Sequence, residues 1–193
     1  MAKKAGLVLG IAGVAALFAL STVVLNSLRD RADPPPQVIL PAAQGAVEAA
    51  SDRERAPDFF LTDWNGNGLN LADIMADGKP VILNFGASWC PACRMEKPGF
   101  ENVYRDRGTE VNFVMVALVD GSPAEIDRER RYIEENGFTM PVYFDVLQEG
   151  ARVYGVRGIP TTVFIDSDGY IVTRTVGLTR EETLHELIDF MLP

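Results

Sequence analysis

The chain has 193 residues, 47% of them hydrophobic and 23% charged, and its 27 acidic against 18 basic residues leave a net charge of −9. An acidic balance of this size argues against nucleic acid and against anionic headgroups as partners. The length allows one globular domain and a short appendage.

The appendage comes first. Lys3 and Lys4 precede Ala5 to Leu25, 21 residues without a charge, and about 20 apolar residues suffice for a helix to cross a bilayer. A cleavable signal has an apolar region of about 7–15 residues and a small-residue exit. Here the exit reads LNSLRDR, and no cysteine is available for a lipid anchor. Residues 1–28 are therefore expected to be an uncleaved transmembrane anchor, with a cleaved signal as the alternative. The lysines keep that end in the cytoplasm, so the rest of the chain is expected outside the cytoplasmic membrane. Residues 29–56, with PPP at 34–36, many alanines and a charged end SDRER, show no apolar period and read as a flexible Pro/Ala-rich linker. Without Lys3 and Lys4 the exported part carries 16 basic and 27 acidic residues.

The domain proper is expected over 57–193. DFFLTDWNGNGLNL reads as two short strands around the Asn65-Gly66 turn, and LADIMADGK as a brief helix closed by Gly78. PVILNF (80–85) is an apolar run without alternation, the pattern of a strand buried on both faces. A helix follows from about Pro91 to Arg107, then the strand VNFVMVALV (111–119). Ser122-Pro123-Ala124-Glu125 opens a helix with a capping box and proline at its first position, running to Asn136-Gly137. PVYFD (141–145) is a strand and VLQEGARVYGV a short helix. TTVFIDSDGYIVTRTVG is a hairpin turning at Ser167 to Gly169, and Thr179-Arg180-Glu181-Glu182 caps a last helix to Leu192. Strands alternating with helices, then a hairpin and a helix, predict an α/β fold around a mixed sheet.

The stretch SWCPACRMEKP holds the chain's two cysteines, Cys90 and Cys93. A structural staple is a poor reading, because so short a ring hardly restricts the unfolded chain. Structural zinc takes four Cys/His ligands, and the one histidine, His185, lies far away in the last helix, so no metal is assigned. Covalent haem attachment needs C-x-x-C-H, which is absent. A reversible redox pair has a mechanism. Cys90 falls at the start of a helix, where unpaired N–H groups and the helix dipole favour an anion, which makes it the attacking thiol. Pro91 suits the first helical position, where no N–H is needed. Cys93 lies one turn inward, placed to resolve a mixed disulfide.

FGASWCPACRMEKP followed by GIPTTVFIDSDG resembles the thioredoxin fold, and specifically the membrane-anchored TlpA/ResA/DsbE-type thiol–disulfide oxidoreductases. The resemblance covers Pro57 to Pro193 and rests on APDF, WCxxC, Glu96 three residues past the second cysteine, Pro98, and Ile159-Pro160-Thr161. It implies a thioredoxin-like sheet with an N-terminal hairpin extension and a reversible Cys90–Cys93 disulfide. It also implies a cis Pro160 facing that disulfide, and a substrate groove drawn from Trp89, Pro91, Ile159, Pro160 and Thr161. Glu96, one helical turn from Cys93, is a candidate proton-handling group, against the alternative of a solvated glutamate among the charged neighbours Arg94 and Lys97. Asn84 stands where cytosolic thioredoxins carry aspartate. The sequence departs from the family at Gly86, where an aromatic residue is usual, and the missing ring is expected to open space beside the disulfide.

The function implied is reduction of protein disulfides outside the cytoplasm, with apocytochrome c or copper-site assembly proteins as substrates and a membrane electron donor of the DsbD/CcdA kind. No cofactor is expected, and the domain is read as a monomer. A disulfide-forming oxidase would use the same residues. A carboxylate near the thiols and an acidic domain oppose thiolate stabilisation and lean toward the reductant. Peroxide reduction is disfavoured, because the P-x-x-x-T-x-x-C pattern fails at Leu83 and Ala87. A copper-binding module lacks a third ligand near the pair.

Overall fold

A computed structural model describes residues 53–192; the expected anchor, and all but the last four residues of the expected linker, lie outside them. Among the described residues no helix is long and apolar enough to cross a membrane. In chain order the elements are β1 (Phe60–Thr62), β2 (Gly68–Asn70), α1 (Leu71–Met75), β3 (Val81–Gly86), α2 (Pro91–Arg107) and β4 (Asn112–Ala117). They continue with α3 (Pro123–Asn136), β5 (Val142–Phe144), α4 (Glu149–Val153), β6 (Thr161–Ile165), β7 (Ile171–Val176) and α5 (Glu181–Met191). The strands form one sheet in the order β2-β1-β5-β4-β3-β6-β7. β3 and β4 pair in parallel, as do β4 and β5, and the remaining pairs are antiparallel. This is the thioredoxin-like mixed sheet with an N-terminal hairpin.

β3 is central, and each of its six residues is buried. Because side chains alternate across a strand, Val81, Leu83 and Phe85 pack on one face with Phe59, Leu71 and Tyr154. Ile82 points the other way, into a core with Phe100 and Val103 of α2, Ile133 of α3 and Leu184 and Ile188 of α5. Three helices thus cover one face, and α1 and α4 serve the other. Asn84 and Gly86 share the parity of Ile82, so the end of β3 turns a polar side chain and then no side chain toward α2.

The register extends this polar position into a row. Asn84 pairs with Thr162 of β6, and Thr162 pairs with Thr175 of β7. Three polar residues therefore lie side by side beneath α2.

The local signals differ from expectation in three places. The β1–β2 connection is a five-residue loop organised by Asp63, whose Oδ1 accepts from Asn65 N and Asn67 N at 2.8 Å each, with Gly66 at φ 90°. Ser122 caps α3 by accepting from Glu125 N at 3.3 Å, but Glu125 Oε2 reaches back to Asp120 N rather than to Ser122. Thr179 does not cap α5 at all: the cap position is Arg180, without a side-chain bond, and Thr179 is buried elsewhere. The chain enters the sheet earlier than Pro57. Ala56 N donates to Gly169 O at 3.0 Å, Ile171 N donates to Glu54 O at 2.8 Å, and Arg55 bridges Tyr170.

Candidate active site

Cys90 is the N-cap of α2, with extended backbone (φ −83°, ψ 118°) and Pro91 at the first helical position. Its sulfur accepts from Cys93 N at 3.3 Å, so one of the helix's unpaired N–H groups points at it. The Cys90 thiol in turn donates to Ile159 O at 3.6 Å. Both cysteines are free thiols and buried, Cys90 at 5% exposure and Cys93 at 2%. The Cys93 thiol is pushed up to about 12, first by burial and then by its bond to Cys90, with the charge of Glu96 adding to the effect. It therefore stays protonated in the resting dithiol.

The Ile159–Pro160 peptide is cis, and the turn holding it is tied by Thr161 Oγ1, which donates to Gly158 O at 2.7 Å. Neither N–H nor C=O of Ile159 has a backbone partner among the described residues. Pro160 and Thr161 are buried, while Pro91 is exposed and Trp89 stands 57% exposed beside Cys90. The structure thus brings Trp89, Cys90, Pro91 and Cys93 from the start of α2 together with Ile159, Pro160 and Thr161 from the start of β6.

Glu96 is not a solvated helix residue. It is 3% exposed, and its carboxyl accepts from Asn84 Nδ2 at 2.8 Å and from Thr179 N at 2.9 Å. Asn84 Nδ2 also donates to Thr162 Oγ1 at 3.0 Å. The hydroxyl of Thr179 bonds those of Thr162 at 3.3 Å and Thr175 at 2.8 Å. The row set by strand register is therefore a hydrogen-bonded network ending on Glu96. Burial lifts that carboxyl to about 7, against the opposing pull of Thr179 N–H, Asn84 and the Lys97 charge.

Gly86 connects this network to the thiols. A Cβ there would lie 3.4 Å from Cys93 Sγ and 3.6 Å from Asn84 Oδ1. A side chain there would point inward, against Cys93 and the amide that holds Glu96.

A second buried polar group supports the loop before Cys90. Glu129 of α3, 2% exposed, accepts from Ser88 N at 2.6 Å through Oε2. Its Oε1 makes no hydrogen bond and faces Lys97 Nζ at 3.7 Å. Lys97 is 4% exposed, so this charged neighbour of Glu96 is one half of an interior ion pair. Thr162, Thr175, Thr179, Ser88 and Glu129 were not legible as site residues. Thr175 and Glu129 stand outside any local motif, and Ser88, Thr162 and Thr179 lie in motifs that carry no sign of this role, which strand register and helix packing supply.

Residues 53–174 match the AhpC/TSA family. The thiol-disulfide oxidoreductase ResA of Bacillus subtilis (strain 168) is 29% identical over 146 residues, 76% of this chain and 79% of its own length. ResA of Bacillus thuringiensis (strain Al Hakam) is 32% identical over 143 residues, 72% of this chain and 78% of its own. Among solved structures, the thiol:disulfide interchange protein DsbE from Chlorobium tepidum superposes with a TM-score of 0.65 at 29% identity, covering 73% of this chain and 97% of that one. StoA from Bacillus subtilis gives 0.59 at 28% identity over 68% and 96%.

Proposed function

We propose, because this chain belongs to the AhpC/TSA family and is a thiol-disulfide oxidoreductase of the ResA/DsbE type, that it reduces protein disulfides outside the cytoplasmic membrane. The observation that carries the reading is the asymmetry of the pair: Cys90 takes a helix N–H at the cap, while Cys93 is buried with its proton held to about 12. Cys90 attacks as the thiolate. A bond forms between its sulfur and one sulfur of the substrate, the substrate disulfide breaks, and the second substrate sulfur leaves as a thiolate. Cys93 then gives up its proton and attacks Cys90 Sγ, releasing the first substrate sulfur and closing Cys90–Cys93. Two electrons have passed to the substrate, whose two thiolates take up the proton Cys93 gives up and one from solvent. Restoring the dithiol requires a two-electron donor, for which a membrane transporter of the DsbD/CcdA kind is the family's source.

Glu96 is the proton acceptor in the resolving step. Its elevated titration lets it hold or release a proton near neutrality, and Gly86 is packed between Cys93 and the Asn84 amide that fixes it. Trp89, Pro91, Ile159, Pro160 and Thr161 frame the substrate, with the backbone of Ile159, bonded to no other backbone group among the described residues, offering a short edge to an extended chain beside the Cys90 thiol. Residues 5–25 anchor the protein and 29–52 tether it. Apocytochrome c and copper-site assembly proteins are the substrates suggested by the family.

Insulin reduction and a redox titration test this. Cys90→Ser is expected to abolish turnover and Cys93→Ser to accumulate mixed disulfides, with Cys90 alkylated far faster than Cys93 in the dithiol. The potential is expected near thioredoxin's, about −270 mV, rather than the roughly −120 mV of a disulfide-forming oxidase. A strongly oxidising value would reverse the direction.

A further inference from the structure

A cleft of about 270 Å³ adjoins the loop before Cys90, lined by Ser88 and Trp89, by Arg94 of α2, and by Arg128, Arg131 and Tyr132 of α3. Its sign is opposite to that of the molecule. The four basic and four acidic residues before Arg53 cancel, so the domain from Arg53 onward carries the whole net charge of −9. Yet three guanidinium groups converge on this cleft, against one carboxylate, Glu135. Arg128 is engaged by Glu125 at 2.5 Å. Arg94 lies 4.9 Å over the Tyr132 ring and, like Arg131, makes no ion pair among the described residues.

A guanidinium left without a partner takes a carboxylate through two parallel N–H···O bonds. An exposed indole offers a polypeptide a broad apolar surface. Trp89 supplies that surface one residue before Cys90, so whatever lies in the cleft is within a few residues of the sulfur under attack. Arginines along a helix are ordinarily solvated. These come from two helices and meet at one cavity beside the loop that carries Trp89 to Cys90.

We propose that the cleft receives an acidic segment of the substrate polypeptide, in which Asp or Glu side chains flank the cysteine attacked by Cys90 and pair with Arg94 and Arg131. This rests on the reading of the chain as a protein-disulfide reductant and narrows its substrates to disulfides with acidic flanks. Like-charged flanks are disfavoured by the same groups.

The test uses the full-length reduced protein and three peptides of equal length, each with one disulfide, flanked by aspartates, by serines or by lysines. A small uncharged disulfide, oxidised 2-mercaptoethanol, serves as the reference. At low salt kcat/KM is expected to be about tenfold higher for the acidic peptide than for the serine peptide, and lowest for the lysine peptide. The spread should collapse in about 0.5 M salt, where charges more than a few ångströms apart are screened. Arg94→Glu/Arg131→Glu should invert the order, favouring the lysine peptide, which a merely damaged fold would not do. Equal rates for the three peptides, or an acidic preference that survives the double substitution, would overturn the proposal. Failure of the wild type to exchange with any peptide or with the reference would instead sink the reductant reading itself.

Discussion

A carboxyl buried under a helix with two hydrogen-bond donors and no full counter-ion titrates high, and Glu96 does so, at about 7 against an ordinary 4.5. Folding therefore favours its protonated form. The stability this gives is full below about 4.5 and is lost as pH rises toward 7. Glu96→Gln, neutral throughout, is expected to unfold at higher urea than the wild type at pH 8 and at the same urea near pH 4. At one unit per about 1.4 kcal/mol, the difference is of order 3 kcal/mol. The kinetic signature has the opposite use of the same proton. If Glu96 accepts the Cys93 proton, resolution of a trapped mixed disulfide accelerates as pH rises through about 7, and Glu96→Gln removes that inflection. An inflection kept in the variant would return Glu96 to a structural role. The Lys97–Glu129 pair gives a second residue-level expectation. Removing one partner from a buried ion pair costs about 3–5 kcal/mol, whereas neutralising both is mild. Lys97→Met should lower the urea midpoint steeply, and Lys97→Met/Glu129→Gln should recover most of it while keeping an acceptor for Ser88 N–H.

At the scale of elements, the parts that are local were readable and the parts made by pairing were not. The uninterrupted VILNF run announced a strand buried on both faces, and Pro91 and Ser122-Pro123 marked helix starts that the structure keeps. Cys90 at a helix start also followed from spacing alone. Thr179 did not. Its S/T-x-x-E pattern is a valid cap signature, but Glu96 and the hydroxyls of Thr162 and Thr175 compete for the residue, and a buried carboxylate is the stronger claim on its N–H. Likewise the polar row depends on which residue of β6 faces Asn84, and strand register is not written in either strand by itself. The burial of Lys97 is not written in its own helix either, because its partner Glu129 lies on another. A strictly local prediction follows from α3. Gly137 closes it at φ 65° and nothing crowds its Cα, so Gly137→Ala is expected to cost about 1 kcal/mol through backbone conformation alone. Matched urea curves with unchanged slope would show it.

At the scale of the whole molecule, the expected anchor predicts that the protein recovered from membranes begins upstream of residue 25. A mature N-terminus beyond that point would leave export intact and remove the anchor. The tie of Glu54 to Ala56 onto the 166–171 turn then acquires a mechanical meaning. β3 pairs with β6 so that Phe85 meets Thr161 at the reactive end and Val81 meets Ile165 at the other. The chain thus enters the sheet at the pole opposite Cys90. With residues 5–25 expected in the bilayer, the reach of the cysteines is set by the length of chain between residue 28 and that attachment. Cropping residues 29–45 is expected to slow re-reduction by a membrane donor more than turnover of a soluble disulfide. Pulse-reduction kinetics of both half-reactions in vesicles would separate the two.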